Sequence, residues 1–162
     1  MKGKIAIAAL IVGLALLVSS PCYTGFGLPS FGFLKKSVPT LTPVNQLLEI
    51  PISTINDGKA HHFKVQSDNG TTVTFFVLKS KDGILRAAID ACDVCFRAGL
   101  GYRQEQDYMV CENCGQKFAS NKINIIRGGC NPAPLHRWIK GDNLLIHMRD
   151  INNNSWYCEF KN

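Results

Sequence analysis

Two C-x-x-C pairs, Cys92-Asp93-Val94-Cys95 and Cys111-Glu112-Asn113-Cys114, are separated by fifteen residues, and a fifth cysteine follows in Gly128-Gly129-Cys130-Asn131-Pro132. Apolar runs between Cys92 and Pro134 are short, so this stretch cannot bury a conventional core of its own. A tight turn that carries two thiolates can offer both to one ion. A hairpin over Tyr102 to Val110 would bring the second turn round to complete a tetrahedron at metal–sulfur distances near ~2.3 Å. Gly115, directly after the second pair, suits a turn that needs positive φ. The segment is therefore expected to fold around a metal, with Cys92, Cys95, Cys111, Cys114 and Cys130 as ligands and His136 as a further candidate. Arg97, Arg103, Lys117 and Arg127 are close enough in sequence to offset the negative charge of clustered thiolates.

Other uses of two C-x-x-C pairs fit less well. Disulfides within each pair would close very small loops and gain comparatively little. Neither pair opens an amphipathic helix after a strand, as a thioredoxin-like site would, and neither is followed by the histidine of a haem attachment site. The spacing also differs from the cysteine runs of bacterial and plant-type ferredoxins. Sulfur coordination alone leaves zinc and iron both open.

Around this segment the punctuation is that of a mainly β chain. Leu47 to Ile52 is a short apolar run, and Asp57-Gly58 precedes an alternating strand over His61 to Gln66. Asp68-Asn69-Gly70 leads into Thr71 to Lys79, and Lys81-Asp82-Gly83 into Ile84 to Asp90. Asn152-Asn153-Asn154 between Asn143–Ile151 and Ser155–Phe160 reads as a third hairpin, with Cys158 buried on a strand beside Trp156 and Phe160. His61 and His62 read as ordinary strand residues, and His147-Met148 lacks a second methionine that would suggest copper.

Lys2 and Lys4 precede the uncharged run Ile5 to Val18, and Ser19-Ser20-Pro21 ends it. Residues 1–20 are expected to be an N-terminal apolar helix that anchors the chain by a single pass. A cleaved signal peptide is the alternative, because a helix of this length falls short of a ~30 Å hydrocarbon core. Lipidation at Cys22 is a third route to the same side of the membrane. Residues 21–46 mix Tyr23, Phe26, Phe31 and Phe33 with glycines and prolines and read as a linker, leaving 47–162 as one β-rich domain with its cysteine-rich segment at 88–135. The positive-inside rule places that domain outside the cytoplasm.

The formal charge of +6 is carried mostly by the membrane end. From Leu47 onward 14 basic residues face 12 acidic ones, a balance of +2, and no basic stripe alternates with aromatics, so nucleic acid is not an expected partner. Neither a phosphate-binding loop nor a nucleophile–histidine–acid order is present, which argues against a hydrolase or transferase.

The runs Ala88-Ile89-Asp90-Ala91-Cys92-Asp93-Val94-Cys95, Gly101-Tyr102-Arg103-Gln104-Glu105, Met109-Val110-Cys111-Glu112-Asn113-Cys114-Gly115 and Gly128-Gly129-Cys130-Asn131-Pro132-Ala133-Pro134-Leu135 closely resemble the FtrD-like family of membrane iron–sulfur proteins. The resemblance spans about Leu47 to Leu135. It implies a membrane-associated domain with an iron–sulfur centre, linked in some systems to ferrous iron uptake; many members also carry a multi-span membrane part. The expectation is thus a small antiparallel β-domain with an inserted paired-knuckle segment, preceded by one apolar helix. It would hold an iron–sulfur cluster or mononuclear iron, with zinc as the alternative. It would serve electron transfer or iron handling beside a membrane protein partner. A structural zinc ribbon-like module that binds another protein is the second reading.

Overall fold

The computed structural model describes residues 37–161. The expected apolar helix and most of the expected linker lie outside the described residues. Among the described residues, no helix is long and apolar enough to cross a membrane.

Three small antiparallel sheets build the domain. The first joins β2 (His61–Gln66), β3 (Thr72–Lys79) and β4 (Leu85–Ile89) in sequence order, with β1 (Leu47–Pro51) preceding them in the chain. Asn69-Gly70 and Asp82-Gly83 make its two turns, and Gly70 and Gly83 both adopt the positive φ that this chain reversal requires. In β3 every residue from Val73 to Leu78 is buried. Period-two alternation sends Val73, Phe75 and Val77 into one core and Phe76 and Leu78 into another. Six consecutive buried residues of β-branched, aromatic and aliphatic type are what a strand covered on both faces demands.

The larger core lies between this sheet and a second one. The cysteine lobe supplies β5 (Tyr102–Glu105), β6 (Tyr108–Cys111) and β7 (Lys117–Ala119), and the second sheet follows as β8 (Trp138–Lys140) and β9 (Asn143–His147), ordered β1-β9-β8. Leu48, Ile50, Leu144 and Ile146 of this sheet pack on Phe75, Val77 and Ile89. Residues 39–41, expected as linker, lie against the domain: Thr40 bridges Lys64 in parallel, and Leu41 packs on the core.

The C-terminal hairpin expected from the sequence is not formed. After β9 the chain turns into α1 (Met148–Asn153) and then a 3-10 turn over Ser155–Cys158. The His147 ring nitrogen Nδ1 accepts the backbone N–H of Arg149 at 3.0 Å and caps the helix start. Met148 and Ile151 are both buried at helical i, i+3 spacing, so the apolar pattern that passes for alternation through Met148 changes period there. Cys158 is buried in the larger core as expected, but from a helical turn and not from a strand.

The outer edge of β4 carries the connection to the cysteine lobe. The Ile89 N–H donates to Ala133 O at 2.8 Å and the Leu135 N–H to Ala87 O at 3.2 Å. The Asn124 side chain accepts from Ala87 N–H and donates to Ala87 O, at 3.2 and 2.7 Å, as a neighbouring strand would. Arg86, buried on the opposite face of β4, donates to Ser80 Oγ, Ile123 O and Asp82 Oδ2 and so ties the lobe to the β3–β4 turn. The Ser80 hydroxyl and the Arg86 guanidinium hold the Asp82 carboxyl down at about 2.

Two outcomes follow for stability. Phe75→Ala is expected to cost about 3–5 kcal/mol in a denaturant melt, as deletion of a fully buried aromatic does. Because the Asp82 pKa is depressed, its contribution is present above the unfolded carboxyl's 3.8 and is lost as pH falls toward about 2. A plot of melting temperature against pH over that window is expected to be steeper for the native protein than for Asp82→Asn.

Candidate metal centre

Each knuckle is built by a strand end and a tight turn. The first begins three residues after the end of β4, past Asp90, whose N–H is held by Thr74 O at 2.9 Å. The Cys95 N–H then points back at Cys92 Sγ, 3.2 Å away, which orients that sulfur toward the turn's concave side. The second begins on Cys111, the last residue of β6, and closes with the Gly115 N–H on Cys111 O at 2.8 Å, with Gly115 at φ +73°. The expected hairpin between the knuckles is β5–β6, paired from Tyr102↔Cys111 to Glu105↔Tyr108. A third loop carries Cys130 on two glycines of positive φ, and the Tyr102 hydroxyl donates to Cys130 O at 2.6 Å.

These loops bring all five cysteines together. The sulfurs of Cys92, Cys95 and Cys111 lie within 4.8 Å of one another, and so do those of Cys95, Cys114 and Cys130. Burial is graded across the set. Cys92 and Cys111 are 1% and 3% exposed, Cys95 and Cys130 are half-buried, and Cys114 is exposed. Every cysteine among the described residues is a free thiol.

Burial pushes the Cys111 thiol up to about 12 and raises Cys130 as well. On Cys95 the Asn113 amide pulls the thiol down, but burial and the neighbouring thiols leave it raised overall. Cys114 is lowered, chiefly by the Gln116 backbone N–H aimed at its sulfur. Soft sulfur donors at this density suit zinc, iron or an iron–sulfur cluster, and hard-ligand ions poorly.

Asp90 and Asp93, on either side of Cys92, tie the first knuckle to distant parts of the chain. The Asp90 carboxylate accepts the Tyr102 N–H at 2.7 Å and Lys161 Nζ at 2.6 Å, and it lies 3.7 Å from His62 Nε2. It thereby joins the first knuckle to the strand that leads to the second. Asp93 accepts the Tyr157 hydroxyl, and burial with this partner pushes the tyrosine well above its ordinary range. Asp90, Tyr102, Tyr157 and Lys161 are the site residues that spacing does not reveal, since their partners are up to 71 positions away.

The expected charge compensation is redistributed. Arg103 pairs with Glu105 and Glu112, and Lys117 with Glu105, so neither is available to the thiols. Arg97 lies over the rings of Phe96 and Phe160. Arg127 lines a polar cavity of about 480 Å³ with Asp93 and Tyr157. His136 also lines this cavity, 3.7 Å from Asp150, and belongs to neither group of sulfurs. His61 bonds Asp57 at 2.7 Å.

Gly101 sits where Asp90 reaches β5. A Cβ there would stand 2.3 Å from Asp90 Oδ2, at a φ of +74° that L side chains rarely adopt. Gly101→Ala is expected to cost about 1–3 kcal/mol, the strain of such a backbone. It is also expected to increase alkylation of Cys92, read by mass spectrometry after brief iodoacetamide treatment, because the Asp90 tether must shift.

Among curated proteins none matches this chain. A solved structure of the quaternary ammonium Rieske monooxygenase CntA in complex with inhibitor MMV12 is similar at a TM-score of 0.41 and 13% identity, over 60% of this chain and 29% of that one. The profile of a family described as "Membrane iron-sulfur containing protein FtrD-like" matches residues 55–157, which take in both knuckles, Cys130, Asp90, Asp93 and Tyr157. With three fifths of its length inside that match, the chain belongs to the FtrD-like family of membrane iron–sulfur proteins.

Proposed function

We propose that this chain is a membrane-anchored, extracytoplasmic iron–sulfur or iron protein that passes electrons to, or handles iron beside, a membrane protein partner. The observation that carries the reading is the convergence of five thiols from three separate loops. Such a density of sulfur has little structural use without a thiophilic ion. The donor set fits the group named in the family description, with Cys92, Cys95, Cys111, Cys114 and Cys130 as the residues that would hold it. Bound iron would supply reversible one-electron chemistry there.

The chain's own contribution is to keep one side of the site dry and the other accessible. Phe76, Met109 and Tyr102 pack beneath Cys92 and Cys111 and exclude water from the inner sulfurs. Cys114 is exposed on the outer side, and Val94, in the first knuckle, is 64% exposed. An exposed sulfur edge with an apolar neighbour suits brief contact with a redox partner, where a short approach matters more than a large interface. His61 and His147 are hydrogen-bonded elsewhere in the fold and no histidine among the described residues joins either group of sulfurs, so the reading rests on sulfur alone.

Anaerobic purification of the full chain is expected to give iron with sulfur-to-iron charge-transfer absorption. Cys158→Ser, which changes a thiol buried in the larger core, is expected to leave the iron content unchanged. Colourless protein that holds zinc would instead make the lobe a structural knuckle and move function to its surface.

A further inference from the structure

The five sulfurs do not form a single cluster of equals. They fall into two groups of three that share Cys95. In a tetrahedral thiolate site the four sulfurs stand about 3.8 Å from one another at a metal–sulfur distance of ~2.3 Å, and a fifth has no corner to occupy. Each group here supplies three corners of such a tetrahedron. We infer that the site holds two thiophilic metal ions, with Cys92 and Cys111 terminal on an inner ion, Cys114 and Cys130 terminal on an outer ion, and the Cys95 sulfur bridging both. The inference rests on the metal-centre reading above and adds its nuclearity and the role of each thiol.

Three further observations support the division. Burial differs between the pairs: Cys92 and Cys111 are buried over Phe76 and Met109, while Cys130 is half-buried and Cys114 reaches solvent. Cys92 and Cys111 are also the first residues of their knuckles, so both turns aim their leading sulfur inward and their trailing sulfur outward. Cys95 is placed between the groups by the second knuckle itself. The Asn113 amide, from between Cys111 and Cys114, donates to Cys95 Sγ at 3.3 Å. A deprotonated thiolate has lone pairs enough to bond two ions while it accepts that hydrogen bond. One corner of each ion is left for a small non-protein ligand, a sulfide or a water, that the two ions share.

The third loop gains a purpose from this assignment. Two knuckles complete a four-thiolate site by themselves, and Cys130 would then be surplus. Instead the Tyr102 hydroxyl fixes the Cys130 carbonyl, and Asn131 closes the loop on Gly128 O at 2.9 Å. That is an arrangement for presenting the Cys130 sulfur at a set position, beside Cys114 and Cys95.

Cobalt(II) titration of the metal-free full chain in detergent tests the inference, because high-spin cobalt reports thiolate ligation by colour and bridging by magnetic coupling. Thiolate-to-cobalt absorption is expected to grow until about two ions are bound per chain. The paramagnetic resonance signal should rise with the first ion and fall as the second enters, since a bridging sulfur pairs their spins. Saturation at one ion, or two ions whose signals simply add, overturns it. Cys130→Ser is expected to retain about one ion and Cys95→Ser to weaken both positions at least tenfold; equal loss in the two variants also overturns it. Because the titration is read on the native sequence, poor folding of a variant leaves the inference open to refutation. Absence of any cobalt binding would overturn the metal-centre reading itself, and the inference with it.

Discussion

Phe75 and Phe76 are adjacent on one strand and point into different cores. The pleat of β3 forces this, and the rest of the domain is arranged around it. On the Phe75 side, the β1-β9-β8 sheet brings Leu48, Ile50, Leu144 and Ile146, enough aliphatic surface for an ordinary hydrophobic core. On the Phe76 side the partners are Tyr102, Met109, Ile123 and two cysteines. The second core is small, yet it has a floor that is part of the larger one. A lobe too poor in apolar residues to fold alone is thereby supported from below by a strand that is already held in place.

What the apolar contacts leave unfinished, polar groups complete. Arg86, Asn124 and Asp90 are buried or half-buried, and each spans from the first sheet to the cysteine lobe. Such groups are costly to bury unpaired, and here each has its partners. Thiols gathered at 4.8 Å or less would repel one another once ionised, so a bound cation is what lets them shed their protons together. Metal occupancy and the rigidity of the three loops are therefore coupled.

The sequence was most readable where spacing is short. Both knuckles, the hairpin between them and the strands over His61–Gln66 and Thr72–Lys79 stand where local pattern puts them, because their turns and their periods are encoded within a few residues. β1 was visible as an apolar run, but its pairing with β9 joins residues nearly a hundred positions apart and nothing local announces it. The C-terminal error has a physical origin too. Leu144, Ile146 and Met148 alternate like a strand, and only the histidine cap at 147 and the burial of Ile151 reveal the change to a helix. At the site, cysteine spacing marked the five sulfurs but assigned compensating charge to Arg103 and Lys117, whose nearby glutamates claim them. Asp90 stands two residues before Cys92, but its tie to Lys161 lies beyond any local pattern.

The helical turn that replaces the expected hairpin carries the chain back to the first knuckle. Tyr157 reaches Asp93 across 64 positions of sequence, and Lys161 reaches Asp90 across 71. A chain emerging from the ribosome or through a membrane has all five thiols in hand by residue 130, while these two clamps are still to come. The order of synthesis thus opens an interval in which the sulfurs can meet an ion before their surroundings close, and it makes the arrival of the last turn the step that seals the first knuckle.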